Sequence, residues 1–324
     1  AGYGTPQVRA LTAATRAFLQ FPPEGFAEVP LVSPREVMIV ASADRLGALE
    51  ALHDEIRSTA PALRRIDGAA ALARVPVLRP AAAAAALLEP QAFDIDVHAL
   101  HQGFLRSMRR HGAEIATSAE VVHVERDAAG WRVHTPRGRW RAAVLINAAG
   151  AWCDQVAALA GVHPLGLSPR RRSAFTFAAP AGIESARWPM LLDVDETFYV
   201  KPDAGVLLGS PANADPVPPQ DVQPEELDVA LAIDRIQRAT TLEIRRPIRT
   251  WAGLRSFVAD GDLVGGFAQD APGFFWVAAQ GGYGIQTSAA MGEACAALVR
   301  GRPLPAHIAD AGLDAAALSP ARLR

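Results

Sequence analysis

The run Phe274-Phe-Trp-Val-Ala-Ala-Gln-Gly-Gly-Tyr-Gly-Ile-Gln-Thr-Ser-Ala289 decides how this chain is read. Four consecutive apolar residues, Phe274 to Val277, predict a short strand buried on both faces. Gly281, Gly282 and Gly284 then permit a tight turn and let backbone approach a ligand closely. From Ile285 to about Val299 the sequence predicts a helix, whose free amides and positive dipole end face whatever lies in that turn. Strand, glycine turn and helix in succession make one step of an α/β layer. An ordinary tight connection is spelled the same way, so this run leaves ligand binding and plain packing both open.

Working outward, Ala143-Val-Leu-Ile146 predicts a second strand buried on both faces, running into Asn147-Ala-Ala-Gly150 and a helix from about Trp152 to Ala160. Val8, Leu11, Ala14, Thr15 and Phe18 mark one stripe of a helix from Thr5 to Leu19. Asp96 is the expected N-cap of a helix through Arg110 that ends near Gly112. A strand is expected from Val37 to Val40, with helices from about Asp44 to Ile56 and from about Ile66 to Ala73. Strands from Ala119 to Glu125 and from Trp131 to Thr135 flank the hairpin signal Asp127-Ala-Ala-Gly130.

From Ser173 to Ser210 the chain reads strand-rich, with Phe175, Phe177, Phe198, Val200, Val206 and Leu208 alternating with other residues. A loop rich in proline and aspartate follows, then a helix from Glu225 to Ala239 and strands from Thr250 to Phe257 and Leu263 to Phe267. The alanine run beginning at Ala81 reads as low complexity. The fold class is therefore α/β. A Rossmann-type layer over 1–24, 94–165 and 251–324 interleaves with a mixed-sheet α+β domain over 25–93 and 166–250.

Composition narrows the class. The 324 residues are 50% hydrophobic and 20% charged, with a formal net charge of −2, which gives no electrostatic case for nucleic acid or an acidic membrane. Lys201 is the only lysine, so arginine fills every ordinary basic role. Cys153 and Cys295 lack metal-ligand spacing and read as small buried apolar residues. No apolar run approaches the roughly 18 residues of a membrane span, so the protein is not expected to be integral to a membrane. Nor does the start resemble a signal peptide, and a cytoplasmic protein is expected. The chain opens without methionine in a glycine-rich turn and reads as cut there.

Candidate chemical side chains are few. Arg170-Arg171-Arg172 reads as a solvated basic turn before a strand. Arg255, within Trp251-Ala-Gly-Leu-Arg-Ser-Phe257, has apolar neighbours, so a carboxylate from protein or substrate is expected beside it. His98 and His101 share a helix face with no third ligand, so no metal site is expected.

Six stretches carry a resemblance: Tyr3-Gly-Thr-Pro-Gln-Val-Arg-Ala-Leu-Thr12, Asn147-Ala-Ala-Gly-Ala-Trp-Cys-Asp154, Arg171-Arg-Ser-Ala-Phe175, Leu208-Gly-Ser-Pro-Ala-Asn-Ala-Asp-Pro216, the segment from Thr250 to Asp262, and the opening run. With these the chain resembles the D-amino-acid oxidase and glycine oxidase family of FAD enzymes, and within it the D-arginine dehydrogenases. The resemblance implies FAD as cofactor and a D-amino acid as substrate. Hydride passes from Cα to flavin N5, and the imino acid hydrolyses to a 2-oxo acid and ammonia. The resemblance leaves the electron acceptor, quinone or oxygen, open.

The resemblance also assigns residues. Arg172 and Arg255 match the pair that hold the substrate carboxylate, a task suited to fork-shaped charged donors. Tyr3 and Tyr199 match catalytic tyrosines, Met190 and Leu192 match apolar residues of the side-chain pocket, and the Gly282 carbonyl matches the acceptor of the substrate amine. Cofactor contacts fall at Val121, Val122, Ala148, Ala149, Gly150, Trp152, Gly281, Gly282, Tyr283, Gly284, Ile285, Gln286 and Thr287.

Two departures qualify the resemblance. The family opens with a strand, a G-x-G-x-x-G turn and a helix that bind the FAD pyrophosphate. Roughly 50 residues of that kind, including an active-site histidine, have no counterpart here, so the chain alone is expected to hold FAD poorly. The family also carries a glutamate that meets basic substrates. In Ser33-Pro-Arg-Glu36 it stands one place early, with Val37 at the matching position. Either Glu36 reaches the pocket through a bulge, or preference moves toward apolar D-amino acids. The alternatives are an oxidase of glycine, sarcosine or another amine, and an inactive fragment unable to hold FAD.

Overall fold

The computed structural model describes residues 2–323; Ala1 and Arg324, the end residues of the expected segments, lie outside them. The chain divides into two compact units, the first made of residues 2, 33–94 and 170–254, the second of 3–32, 95–169 and 255–323.

In chain order the elements are α1 (Pro6–Gln20), β1 (Val32–Pro34), β2 (Val37–Ala41), α2 (Leu46–Ile56), β3 (Arg64–Asp67), α3 (Gly68–Arg74), β4 (Ala85–Glu89), β5 (Phe93–Ile95) and α4 (Val97–Arg110). The middle of the chain gives β6 (His123–Asp127), β7 (Gly130–Thr135), β8 (Gly138–Ala142), β9 (Leu145–Asn147), α5 (Cys153–Leu159), β10 (Ser168–Phe177), β11 (Met190–Asp193), β12 (Tyr199–Asp203), β13 (Val206–Ser210) and β14 (Asp215–Pro216). It continues with α6 (Glu226–Ala239), β15 (Arg249–Phe257), β16 (Val264–Phe267), β17 (Phe274–Ala278) and α7 (Gly284–Val299).

Among the described residues the first unit is built on a nine-stranded sheet, ordered β14-β10-β13-β12-β11-β2-β4-β3 with β15 also on β10. Alternation along each strand sorts its side chains. Met38, Val40, Leu191, Val200, Leu207, Phe175 and Phe177 turn to one face, where Val229, Ala232 and Ile236 of α6 close a core. Each large apolar side chain buried there contributes about 1.5–3 kcal/mol. The opposite face begins with Val37 and Ile39, which stay half-buried.

In the second unit a three-stranded sheet, β16-β17-β9, lies between two layers. Phe275 faces Val8 and Leu11 of α1 and Ala290, Met291 and Ala294 of α7. Its neighbours Phe274 and Trp276 face the other way, into a core with Trp131, Cys153 and Ala157. A separate meander, β6-β7-β8, supplies Trp131. Thr5 caps α1, accepting from Val8 N–H at 3.3 Å, and its hydroxyl donates to Asp262.

Several expectations need correction. The alanine run is not a featureless patch: its end forms β4, between β2 and β3. Ala86 and Leu88 join one core cluster while Ala85 and Leu87 join another, so burial on both faces overrides alanine's helical preference. Ile66 belongs to a strand, and the helix begins only at Gly68, where Asp67 caps it by accepting from Ala70 N–H at 2.8 Å. Ala143–Ile146 is not buried on both faces. β9 is an edge of its sheet and Ile146 is 49% exposed. Residues 25–32 belong with the second unit, because Phe26 and Leu31 pack with Leu19, Ala99 and Leu100.

The arginine triplet is part of β10, not a solvated turn. Burial works against the charge of Arg171, but Asp228, Glu225 and Asp215 surround it and hold it protonated. Cys153 and Cys295 are buried, which pushes their thiols up to about 11 and about 12. No described helix is long and apolar enough to cross a membrane, and no metal-binding cluster occurs among the described residues.

Candidate active site

In the second unit, Arg255 and Phe257 alternate onto one face at the end of β15, beside the glycine turn that opens α7. Gly281 N–H donates to the Ser256 carbonyl at 2.9 Å and fastens turn to strand. A β-carbon on Gly282 would lie 2.9 Å from Arg255 Nη1, and one on Gly281 would lie 2.8 Å from the Phe257 ring. Gly281 also takes a φ of 53°, which glycine adopts without strain. Gly281 is therefore required by its backbone, while Gly282 leaves the space that the flexible end of Arg255 occupies. Arg255 is half-buried and has no acidic partner among the described residues. The expected carboxylate is not supplied by the described residues.

Tyr283 completes this corner. Its ring meets Tyr3 edge-on at 5.4 Å and Phe257 at 6.5 Å, and a β-carbon on Gly4 would touch it at 3.2 Å. Tyr3, Arg255, Gly281, Gly282 and Tyr283 thus come together within one unit. Phe257 belongs with them and was not singled out from the sequence; its signal was the two-residue spacing from Arg255 on a predicted strand.

In the first unit, strand register places another group on the half-buried face of the large sheet. Val37 stands beside Met190, Ile39 beside Leu192, and Leu192 beside Tyr199. Lys201 follows on the same face, its charge taken by Asp94 at 2.9 Å. Burial raises the Asp94 carboxyl, but Lys201 and Arg35 outweigh that and hold it below the usual carboxylate range. Along β10, Arg171 and Ser173 point toward Asp228 at the start of α6, so Arg172 lies on the other face, with Tyr199. Arg172 Nε donates to the Asn213 carbonyl at 2.5 Å.

Glu36 is placed differently. β2 pairs residue by residue with β4 and β11 from Val37 onward, without a bulge. Glu36 therefore faces away from Met190, and it pairs with Arg74 of α3 at 3.6 Å.

The cofactor candidates sort into backbone and side-chain roles. β9 and β17 run parallel, so the Asn147–Gly150 and Gly281–Gly284 turns leave neighbouring strands at the same end. Asn147 is buried and pins its turn from inside, donating to the Cys153 carbonyl at 2.8 Å and accepting from Ala149 N–H at 3.3 Å. Ala148, Gly150 and Trp152 are left exposed, as are Val122 and Ile285, while Val121 and Ala149 pack partly on the core. No side chain caps α7, and its first amides lack intrahelical acceptors. Two bare turns, exposed apolar side chains and an uncapped 16-residue helix fit a flat ring with a polar, partly anionic edge. The Gln286 and Thr287 side chains are tied into the fold. Gln286 donates to Thr12 at 3.0 Å, and the buried Thr287 hydroxyl donates to the Tyr283 carbonyl at 2.9 Å. No G-x-G-x-x-G turn occurs in the sequence.

A strand-turn-helix layer with bare turns at parallel strand ends, interleaved along the sequence with a large mixed sheet, makes this an α/β protein. The sequence pattern described as DAO, FAD dependent oxidoreductase, matches residues 2–298, and the chain belongs to that family. Among solved structures, L-proline dehydrogenase from P. horikoshii superposes with a TM-score of 0.80 at 18% identity, covering 99% of this chain and 86% of that one. The L-α-glycerophosphate oxidase of Mycoplasma pneumoniae with FAD bound gives 0.82 at 17%, over 92% and 81%. Glycine oxidase from Geobacillus kaustophilus gives 0.79 at 20%, over 98% and 83%. These likenesses concern the fold. Mouse mitochondrial dimethylglycine dehydrogenase is 30% identical over 130 residues, which are 39% of this chain and 15% of that protein.

Proposed function

We propose that this FAD-dependent oxidoreductase oxidises D-amino acids with apolar or uncharged side chains to imino acids, which hydrolyse to 2-oxo acids and ammonia. The observation that carries the reading is Arg255, half-buried against Gly282 without a carboxylate among the described residues. Burying part of a guanidinium is costly without a counter-charge, and an amino acid brings one. In this reading Arg255 receives the substrate carboxylate, the Gly282 carbonyl accepts from the substrate amine, and Tyr3 presents its hydroxyl in the same unit. In the first unit the resemblance of the motifs gives Arg172 a carboxylate-binding role of its own. FAD, when bound, supplies the hydride acceptor for the substrate Cα.

The substrate side chain is assigned from the first unit. Val37, Ile39, Met190 and Leu192 offer apolar surface in adjacent register; Glu36 is engaged by Arg74, and Glu89, the β4 partner of Val37, accepts from Gln91 N–H at 3.2 Å. The D configuration rests on the resemblance of the motifs. A second reading, oxidation of glycine or of an N-methylated amine, is favoured by the 130-residue match to dimethylglycine dehydrogenase.

Turnover of the flavin-loaded protein on D- and L-leucine, D-methionine, D-arginine, glycine, sarcosine and dimethylglycine, with dye and with oxygen as acceptors, separates the readings. D-leucine and D-methionine are expected to lead. Leadership by sarcosine or dimethylglycine supports the second reading, and leadership by D-arginine overturns the apolar assignment.

A further inference from the structure

We infer that Asn213 is a positioning residue for Arg172, fixing the guanidinium that receives the substrate carboxylate; this rests on the carboxylate role proposed above for Arg172. The loop after β13 turns sharply, with Ala212 at a φ of 52° and its N–H donating to Ser210 Oγ at 3.1 Å. That turn brings the Asn213 carbonyl to Arg172 Nε at 2.5 Å. A carbonyl on Nε restrains rotation of the fork about its long stem, because Nε lies in the guanidinium plane.

The carbonyl is itself held. Asn213 Oδ1 accepts from Ser173 N–H at 2.9 Å, and its Nδ2 donates to Asp215 at 2.8 Å and to Asp228 at 2.9 Å. Asp228 Oδ2 is shared with Arg171 Nε at 2.9 Å and Ser173 Oγ at 3.0 Å. One asparagine side chain thus ties the loop to the residue after Arg172 and, through Asp228, to the residue before it. The buried Arg171 is the anchor and Arg172 the group aimed. Loss of the asparagine side chain leaves the carbonyl in the chain but removes what holds it. The effect should fall on carboxylate binding while the chemical step is spared.

The test is calorimetric binding of 4-methylpentanoate and of its neutral counterpart 4-methylpentanamide to flavin-loaded wild type, Asn213→Ala, Asn213→Asp and Arg172→Ala, with kcat and KM for D-leucine alongside. Asn213→Asp keeps the acceptor for Ser173 N–H but sets a third carboxylate beside Asp215 and Asp228, so it loosens the loop by repulsion. Preference for the carboxylate over the amide is expected to fall about tenfold in both Asn213 variants, with KM raised and kcat and amide affinity held. If Arg172→Ala abolishes the preference and both Asn213 variants keep it, the positioning role is overturned and the reading of Arg172 stands. If Arg172→Ala keeps the preference, the carboxylate reading falls, and the positioning role falls with it. Equal losses of carboxylate and amide affinity in both Asn213 variants overturn the proposal in favour of a purely structural asparagine.

Discussion

Arg255 rests its guanidinium on the bare backbone of Gly282, with Nη1 2.9 Å from where any β-carbon at 282 would stand. A half-buried cation and a turn glycine, 27 residues apart in the sequence, explain each other. The cation needs the space that glycine leaves.

Gly282→Ala is therefore expected to displace Arg255 and spare the fold, since the clashing atoms are the flexible end of a side chain. KM for a D-amino acid should rise roughly 10- to 100-fold with little change in Tm. Steady-state kinetics beside a thermal melt checks this; an unchanged KM would remove Arg255 from the carboxylate role.

Val37→Glu sets a carboxylate beside Met190 on the half-buried face of the large sheet. On the proposed reading the ratio of kcat/KM for D-arginine over D-leucine should rise by about 10- to 100-fold, because an apolar residue is replaced by a counter-charge for the basic tail. Glu36→Gln, which acts on the side paired with Arg74, should leave that ratio where it was.

Asp94 joins Arg35 and Lys201 in the first unit. Its folded carboxyl is held below the ordinary value, so the stability it contributes is present above that value, about 3.9, and is lost as pH falls through the lower folded one. Wild-type Tm should drop more steeply below about pH 4 than that of Asp94→Asn, which should start lower at neutral pH. Parallel curves for the two proteins would show that the ion pairs contribute nothing.

Burial raises Cys153 to about 11 and Cys295 to about 12, so neither is a thiolate at pH 8. Thiol reagents are expected to leave the native protein unmodified and to label both residues once denaturant unfolds it. Mass spectrometry before and after unfolding reads the outcome.

Much of the local structure was legible. The Asp96 cap, the α1 stripe, the β6–β7 hairpin and the strand-turn-helix from Phe274 all follow from neighbours within one or two turns of chain. The exposed β8, spelled Gly138-Arg-Trp-Arg-Ala142, went unread because its alternation of arginine with Trp140 and Ala142 spans only five residues and buries none of them. The functional weight of Asn213 was hidden for a different reason: its partners, Arg172, Ser173 and Asp228, are 15 to 41 residues away.

The sequence by itself determined the α/β class, the glycine turns and, through its motifs, the family, because caps, periods and glycine positions act over a few residues. Tertiary structure alone decided which way side chains face. It turned Val37 toward Met190 and Glu36 toward Arg74, made a buried strand of Ala85–Glu89, and gave Arg171 to the core while leaving Arg172 on the half-buried face. A strand's side chains alternate whatever its surroundings. Which half points inward is set by the strands and helices that pair with it from far along the chain.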